Sequence, residues 1–304
     1  MVNKQVTLFD SVLKNPVIAA SGTFGFGYEM AEFFDINCLG SISLKGSTLN
    51  ARYGNPLPRI AECSDGLINA IGLQNPGIDA VISTQLPKLS KVYKDKIILN
   101  IGGHSVEEYL LAVEKCNDLD NILGIELNIS CPNVQGGGLA FGTKESTVEA
   151  LTTAIKKVSN QKIIVKLSPN VTDICALAKA AENGGADAIS LINTLIGMRI
   201  DIKTGKPIIS VKKGGYSGRG IFPVALRMVY DVFEAVKIPI IGMGGISSAD
   251  EVIEMLMAGA SAVMVGTATL KDPFACKNII EELDKVIKDL NITSLSTIIG
   301  RAHK

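Results

Sequence analysis

Short apolar runs alternate with amphipathic helical stretches from one end of the chain to the other. That alternation restricts the fold more than any other feature of the sequence. The runs are Pro16–Ala20, Ser41–Lys45, Ile97–Ile101, Ile125–Ser130, Ile163–Ser168, Ala188–Asn193, Pro239–Met243 and Ala262–Gly266, eight in all. Most are largely apolar, as parallel strands covered on both faces should be. Between them, Val106, Tyr109, Leu110 and Val113 mark one helix face at i, i+3, i+4, i+7 spacing. Val148, Leu151, Ile155 and Val158 mark a second, and Ile174, Leu177, Ala178 and Ala181 a third. Ser105 with Glu108 and Ser248 with Glu251 have capping-box spacing. Eight strands joined by crossover helices predict an α/β fold, a (β/α)8 TIM barrel. A doubly wound open sheet is the alternative, but it rarely needs eight strands so evenly alternating.

The chain of 304 residues matches the length of one such barrel. It carries no linker or internal repeat, so residues 1–304 read as a single domain. Lys4–Leu13 reads as a small hairpin under the barrel. Two connections are long for a barrel: Gly46 to about Pro76 after strand 2, and Thr194 to about Phe222 after strand 6. Both leave a strand's C-terminal end, the catalytic face of this fold, and long loops in a compact domain tend to be functional.

Thirty basic and thirty acidic residues cancel, which leaves no electrostatic reason to expect nucleic acid or an anionic membrane as partner. No apolar stretch approaches the ~20 residues of a membrane span, and the first ten residues hold no apolar signal core. The chain is therefore expected to be cytoplasmic. Its six cysteines include no Cys-x-x-Cys pair, so neither an iron–sulfur site nor a structural zinc is expected. Redox chemistry on this chain would need an organic cofactor. With only two histidines, His104 and His303, histidine is an unpromising general base.

The chemistry-bearing residues gather at strand ends. Lys45 ends the second run and Lys166 lies inside the fifth. Lysine is costly to bury unless an anion meets it, so the pair favours an anionic cofactor or substrate over two snorkelling side chains. Gly242-Met-Gly-Gly-Ile-Ser-Ser248 after the seventh run and Val265-Gly-Thr267 after the eighth fit the phosphate site common after strands 7 and 8. Asn128-Ile-Ser-Cys-Pro-Asn133 sets one cysteine between two amides, ahead of a glycine-rich stretch. Cys131 there reads either as a nucleophile or base, or as an inert small apolar residue. Cys116, Cys175 and Cys276 read as structural helix residues. Asn69, Asn128, Asn133 and Asn193, the last followed by Thr194, suggest a ligand with amide or imide edges such as a pyrimidine.

These stretches resemble one family. Ala20-Ser-Gly-Thr-Phe-Gly-Phe-Gly27, Ser43-Leu-Lys-Gly-Ser-Thr48, Arg52-Tyr-Gly-Asn-Pro56, Asn69-Ala-Ile-Gly-Leu-Gln-Asn-Pro-Gly77, Asn128–Asn133, Asn193-Thr-Leu-Ile-Gly197 and Gly242–Ile246 follow in order the motifs of the class 1 dihydroorotate dehydrogenases. The Gly136-Gly-Gly-Leu-Ala-Phe-Gly142 stretch resembles their NAD-linked type B catalytic subunits. The resemblance implies an FMN-bearing barrel that oxidises dihydroorotate to orotate in pyrimidine biosynthesis. It makes Cys131 the base at C5 and Lys45 a lysine touching both flavin and substrate. Asn69, Ala70, Ile71, Gly72, Leu73, Asn128, Asn133, Asn193 and Thr194 match substrate contacts. Ser21, Lys45, Gly46, Asn100, Asn128, Lys166, Ile192, Gly218, Gly244, Gly245, Gly266 and Thr267 match flavin contacts. No metal ligand is implied on this chain.

The resemblance further implies a partner subunit carrying FAD and a [2Fe–2S] cluster, in a heterotetramer built on a homodimer of this chain. The sequence has no Gly-x-Gly-x-x-Gly dinucleotide signature of its own for NAD. One stretch departs from the family pattern, where Lys212, Lys213 and Arg219-Gly220 interrupt an otherwise matching glycine run. The alternatives are the fumarate-linked type A enzymes, a lyase or isomerase acting on a sugar phosphate, and a non-catalytic flavin-binding subunit.

Overall fold

Strands that are apolar on both sides bury best when helices cover one face and the other closes on itself. A computed structural model of the chain describes residues 3–129 and 141–304. In it the eight runs form one parallel sheet: β1 (Val17–Ala19), β2 (Ser41–Ile42), β3 (Ile97–Ile101), β4 (Ile122–Asn128), β5 (Ile163–Lys166), β6 (Ala188–Leu191), β7 (Ile240–Met243) and β8 (Ala262–Val265). Neighbours in sequence are neighbours in space, and β8 returns to β1 through Val263↔Val17. The remaining gap, between β2 and β3, is bridged in parallel at Ser43↔Ile98, with the Leu44 amide donating to the Ile98 carbonyl at 2.9 Å. The sheet is thus a (β/α)8 barrel.

Two of the three expected helix faces turn inward. On helix Val106–Glu114 the buried side chains are Tyr109, Ala112 and Val113, while Val106 at the first turn is exposed and Leu110 half-buried. Val148, Leu151 and Ile155 of helix Glu145–Val158 are buried, as are Ile174, Leu177, Ala178 and Ala181 of helix Ile174–Asn183. Full burial of each such side chain contributes about 1.5–3 kcal/mol. Ser105 caps helix Val106–Glu114 by accepting from the Glu108 amide at 3.1 Å. Glu108 does not return the bond to Ser105. Its carboxylate accepts from the His104 amide one residue earlier, at 2.8 Å. Cys175 and Cys276 lie in helices as expected, whereas Cys116 sits in the turn after helix Val106–Glu114, buried and donating to the Ala112 carbonyl.

The N-terminal hairpin pairs Val6–Leu8 with Ser11–Leu13. Lys96 and Lys162, just before β3 and β5, reach Ser11 at 3.2 Å and Asp10 at 3.8 Å, so the hairpin underlies the barrel's N-terminal end. At the opposite end the two long connections pair with each other. Ile60–Cys63, Gly66–Asn69, Gly214–Ser217 and Leu195–Gly197 form a four-stranded antiparallel sheet with its own small core of Ala61, Ile68 and Ile209. Gly215 is required there, because a Cβ would collide with the Thr194 side chain. Among the described residues no helix is long and apolar enough to cross a membrane.

Candidate active site

The barrel mouth and the sheet above it enclose a cavity of about 880 Å³. Strands β1, β2 and β4–β8 deliver residues at or just past their C-terminal ends to it. Ser21 follows β1, Lys45 follows β2, Asn128 and Lys166 end β4 and β5, and Ile192, Asn193 and Thr194 follow β6. Gly244 and Gly245 arrive from β7, and Gly266 and Thr267 from β8. Asn69, Ala70, Ile71, Gly72 and Leu73 descend from the covering sheet onto the same space. Residues scattered over more than two hundred positions therefore line one cavity.

Three expected residues lie beside the cavity lining rather than in it. Gly46 is buried against Asn100, where a Cβ would stand 2.7 Å from Asn100 Oδ1. Asn100 is buried in β3. Gly218 is packed against Gly66, which leaves no room for a side chain. Cys131 and Asn133 lie outside the described residues. The segment they belong to is preceded by buried Ile129 and followed by Phe141, whose ring packs edge-on against Tyr109 at 5.9 Å.

Two ends of the cavity differ chemically. At the β7–β8 end the backbone itself is exposed to the cavity. Gly244 and Gly245 have φ of +127° and +80°, a region that L side chains rarely adopt. A Cβ on Gly245 would lie 2.7 Å from the Phe222 amide nitrogen, so only glycine lets the chain pass. This turn and Thr267, whose hydroxyl pairs with Ser217 at 2.8 Å, offer the close backbone approach that a phosphate needs.

At the other end stand amides and lysines. Asn193 donates to the Asn128 side-chain oxygen at 3.2 Å, and its own oxygen accepts from the Thr194 amide at 2.8 Å. The Tyr109 hydroxyl holds the Asn128 carbonyl at 2.7 Å. Burial, aided by the nearby Arg59 guanidinium, holds the Lys45 ammonium below the usual lysine pKa. An anionic ligand would offset that cost. Lys213, one of the departures from the family pattern, also lines the mouth.

Sequence reasoning missed two groups. Arg52 and His104 line the cavity, with Arg52 forked onto Glu108 at 3.0 and 3.2 Å. Burial first, then Arg52, lowers the His104 pKa. The second group lies in the barrel interior below the cavity. Glu126 of β4 is fully buried, and its carboxylate accepts from Ser190 at 2.7 Å and from the Asn100 amide nitrogen. Lys166 Nζ is 3.5 Å away and Ser43 Oγ 3.4 Å. Asn100 Oδ1, turned away from Glu126, is buried with no hydrogen-bond partner. An unpaired buried oxygen costs about 1–3 kcal/mol, so this position calls for a ligand donor. A glutamate inside Ile125-Glu-Leu127 carries the same signal as Lys166 in its strand, and could have been found the same way.

Comparison with known proteins agrees with this architecture. The dihydroorotate dehydrogenase family model matches residues 3–287. The chain belongs to the dihydroorotate dehydrogenase family. It is 53% identical over 290 residues to a protein of Anoxybacillus flavithermus, covering 95% of this chain and 93% of that one. It is 53% identical over 300 residues to one of Bacillus cytotoxicus, covering 99% and 97%. A Fusobacterium nucleatum relative is 53% identical over 292 residues, covering 96% of each chain. All three are named dihydroorotate dehydrogenase B (NAD(+)), catalytic subunit. In this chain the β7–β8 glycines and the lysine–amide end line one cavity.

Proposed function

We propose that this chain is the catalytic subunit of an NAD-linked dihydroorotate dehydrogenase, oxidising (S)-dihydroorotate to orotate in pyrimidine biosynthesis. The observation that carries this is the near-full-length match to relatives of that name. The cavity supports FMN as the resident cofactor. Its glycine-lined end suits a phosphate, and the orphaned Asn100 oxygen suits the N–H of an imide edge. When bound, FMN supplies the two-electron acceptor for the hydride leaving C6 of the substrate. Residues 1–304 act as one FMN-binding domain in this reading.

Each residue then has a physical task. Ser21, Gly46, Gly218, Gly244, Gly245, Gly266 and Thr267 hold the cofactor's phosphate arm and ring through backbone and hydroxyl groups, with Ile192 packing beside it. Lys166 and Asn100 face its polar ring edge. Lys45 and the amides of Asn69, Asn128, Asn133 and Asn193, with Thr194 and the 70–73 backbone, grip the substrate's carboxylate and ring carbonyls. That grip polarises the carbonyl next to C5 and makes its proton easier to remove. Cys131 takes that proton. An ordinary thiol, with a pKa of ~8.5, is mostly protonated at neutral pH, and only its thiolate can accept a proton, so acidification of the substrate by its binding site makes the transfer easier.

Lys45 makes this reading sensitive to pH in a defined direction. An anionic ligand binds the protonated lysine, and burial lowers the Lys45 pKa. Orotate affinity should therefore be full at neutral pH and fall as pH rises through that lowered value. The fall should come earlier than for an ordinary lysine of about 10.4. Calorimetric titration of orotate across the alkaline range is the check, with Lys45→Met expected to bind weakly and to lose the lysine-dependent part of the profile. Identical profiles in wild type and variant would remove Lys45 from carboxylate recognition.

Electrons leave through a partner. The chain has no dinucleotide signature of its own for NAD. The reading therefore includes an electron-transfer subunit with FAD and [2Fe–2S], a heterotetramer built on a dimer of this chain, and a cytoplasmic location. The purified chain should be yellow and should reduce an artificial dye with dihydroorotate. NAD reduction should appear only when the partner subunit is added. A colourless protein inactive on dihydroorotate would favour a sugar-phosphate lyase or isomerase. Rapid turnover with fumarate would favour the type A enzymes, and NAD reduction by the isolated chain would overturn the partner.

A further inference from the structure

We propose that Glu126 is a positioning residue that sets both the charge and the hydrogen-bond polarity of the cavity floor. It does so by holding Lys166 and fixing which way the Asn100 amide faces. The inference rests on the FMN reading above.

The geometry leaves Glu126 few other roles. It has no exposed surface and stands in the middle of β4, so it cannot meet substrate directly. Its two oxygens divide the work. One accepts from Ser190 at 2.7 Å, and the other faces the Asn100 amide nitrogen, Ser43 at 3.4 Å and Lys166 at 3.5 Å. An ionised carboxylate only accepts hydrogen bonds. Asn100 must therefore turn its NH2 toward Glu126, and its oxygen is left as an acceptor with no protein partner. Gly46 keeps the space beside that oxygen clear, since a Cβ there would stand 2.7 Å away. The floor thus demands an N–H from its ligand at Asn100 and an electron-rich edge at Lys166.

The charge argument is separate. A buried ion pair rarely adds stability over well-packed apolar residues of the same volume, so folding stability alone does not account for its presence. Its effect on a bound redox group is direct. Lys166 alone would favour the reduced, more negative form of a flavin, and Glu126 beside it subtracts from that preference. Glu126 therefore holds the cofactor's potential below the value that Lys166 would otherwise impose.

Glu126→Gln separates charge from shape. Glutamine can accept from Asn100 with its oxygen and donate to Ser190, whose hydroxyl can reverse its role. The test is spectroelectrochemical titration of the holoprotein, with flavin absorbance confirming the cofactor in the same sample. The Gln variant should bind reduced relative to oxidised FMN about tenfold more tightly than wild type, a rise of about 30 mV for a two-electron couple. Lys166→Ala should move the potential the opposite way, a sign difference that a merely structural role would not produce. Glu126→Asp draws the carboxylate back by one methylene and should give a smaller rise, which keeps the test readable if the Gln variant does not fold. An unchanged potential in a folded, FMN-loaded variant overturns the proposal. Absence of flavin from the wild-type protein would overturn the FMN reading instead.

Discussion

Replacing Cys131 by serine is expected to slow flavin reduction by dihydroorotate about 10²–10⁴-fold near neutral pH, the range that general base catalysis supplies. A serine hydroxyl ionises far less readily than a thiol, whose pKa is ~8.5, so almost none of the deprotonated base is present at neutral pH, and the change alters the side-chain volume little. The cysteine lies in Asn128-Ile-Ser-Cys-Pro-Asn133, directly after β4. Asn128 at the head of that run is already held at the cavity by Tyr109 and Asn193. Stopped-flow absorbance at the flavin band, in a single turnover without acceptor, isolates this step from electron export. The variant should recover speed as pH rises only if hydroxide or another base substitutes. Wild-type rates at pH 7 would remove Cys131 from the mechanism.

Lys166→Ala is expected to make the flavin harder to reduce and to weaken its retention. Reduced flavin gathers negative charge near N1 and O2, and a fixed cation in a water-poor site stabilises it far more than in solution. Lys166 is such a cation, with its side chain only 8% exposed and Glu126 at 3.5 Å. The same substitution strands a fully buried carboxylate. Breaking a buried pair by removing one partner costs roughly 3–5 kcal/mol, so the apoprotein should also unfold at lower temperature. Potentiometry reports the first effect and thermal unfolding of the apoprotein the second. An unchanged potential with FMN still bound would deny Lys166 its electrostatic role, whatever the stability.

Much of this protein can be read from local pattern. Seven of the eight strands lie within the runs that announce them, and β4 begins three residues before its run, at Ile122, because a parallel strand covered on both faces must be largely apolar. The helix faces and the caps at Ser105 and Ser248 follow from 3.6-residue periodicity and orphaned N-terminal amides, which are also local causes. Lys45, Lys166 and the Gly244-Gly245 turn stood out because a lysine or a glycine pair is out of place at an apolar strand's end. The motifs from Ala20 to Ile246 carry the family resemblance.

What the tertiary structure decided was who meets whom. The sheet over the barrel mouth pairs Asn69 with Gly215, two residues in connections that read as irregular chain. Neither strand has an apolar period of its own; they pair with each other, with Ile68 in the sheet's own small core and Tyr216 packed against both that core and the main one. The floor of the cavity is a second case. Glu126, Asn100 and Ser190 are polar residues in three different strands and Ser43 directly follows a fourth, with contacts up to 83 positions apart. Only closure of the barrel, which brings inward-facing side chains of alternate strands into one layer, turns them into a single polar cluster around one buried carboxylate. Local sequence sets the period and polarity of each element, but inter-strand register and ring closure act over the whole chain and decide which polar side chains share the interior.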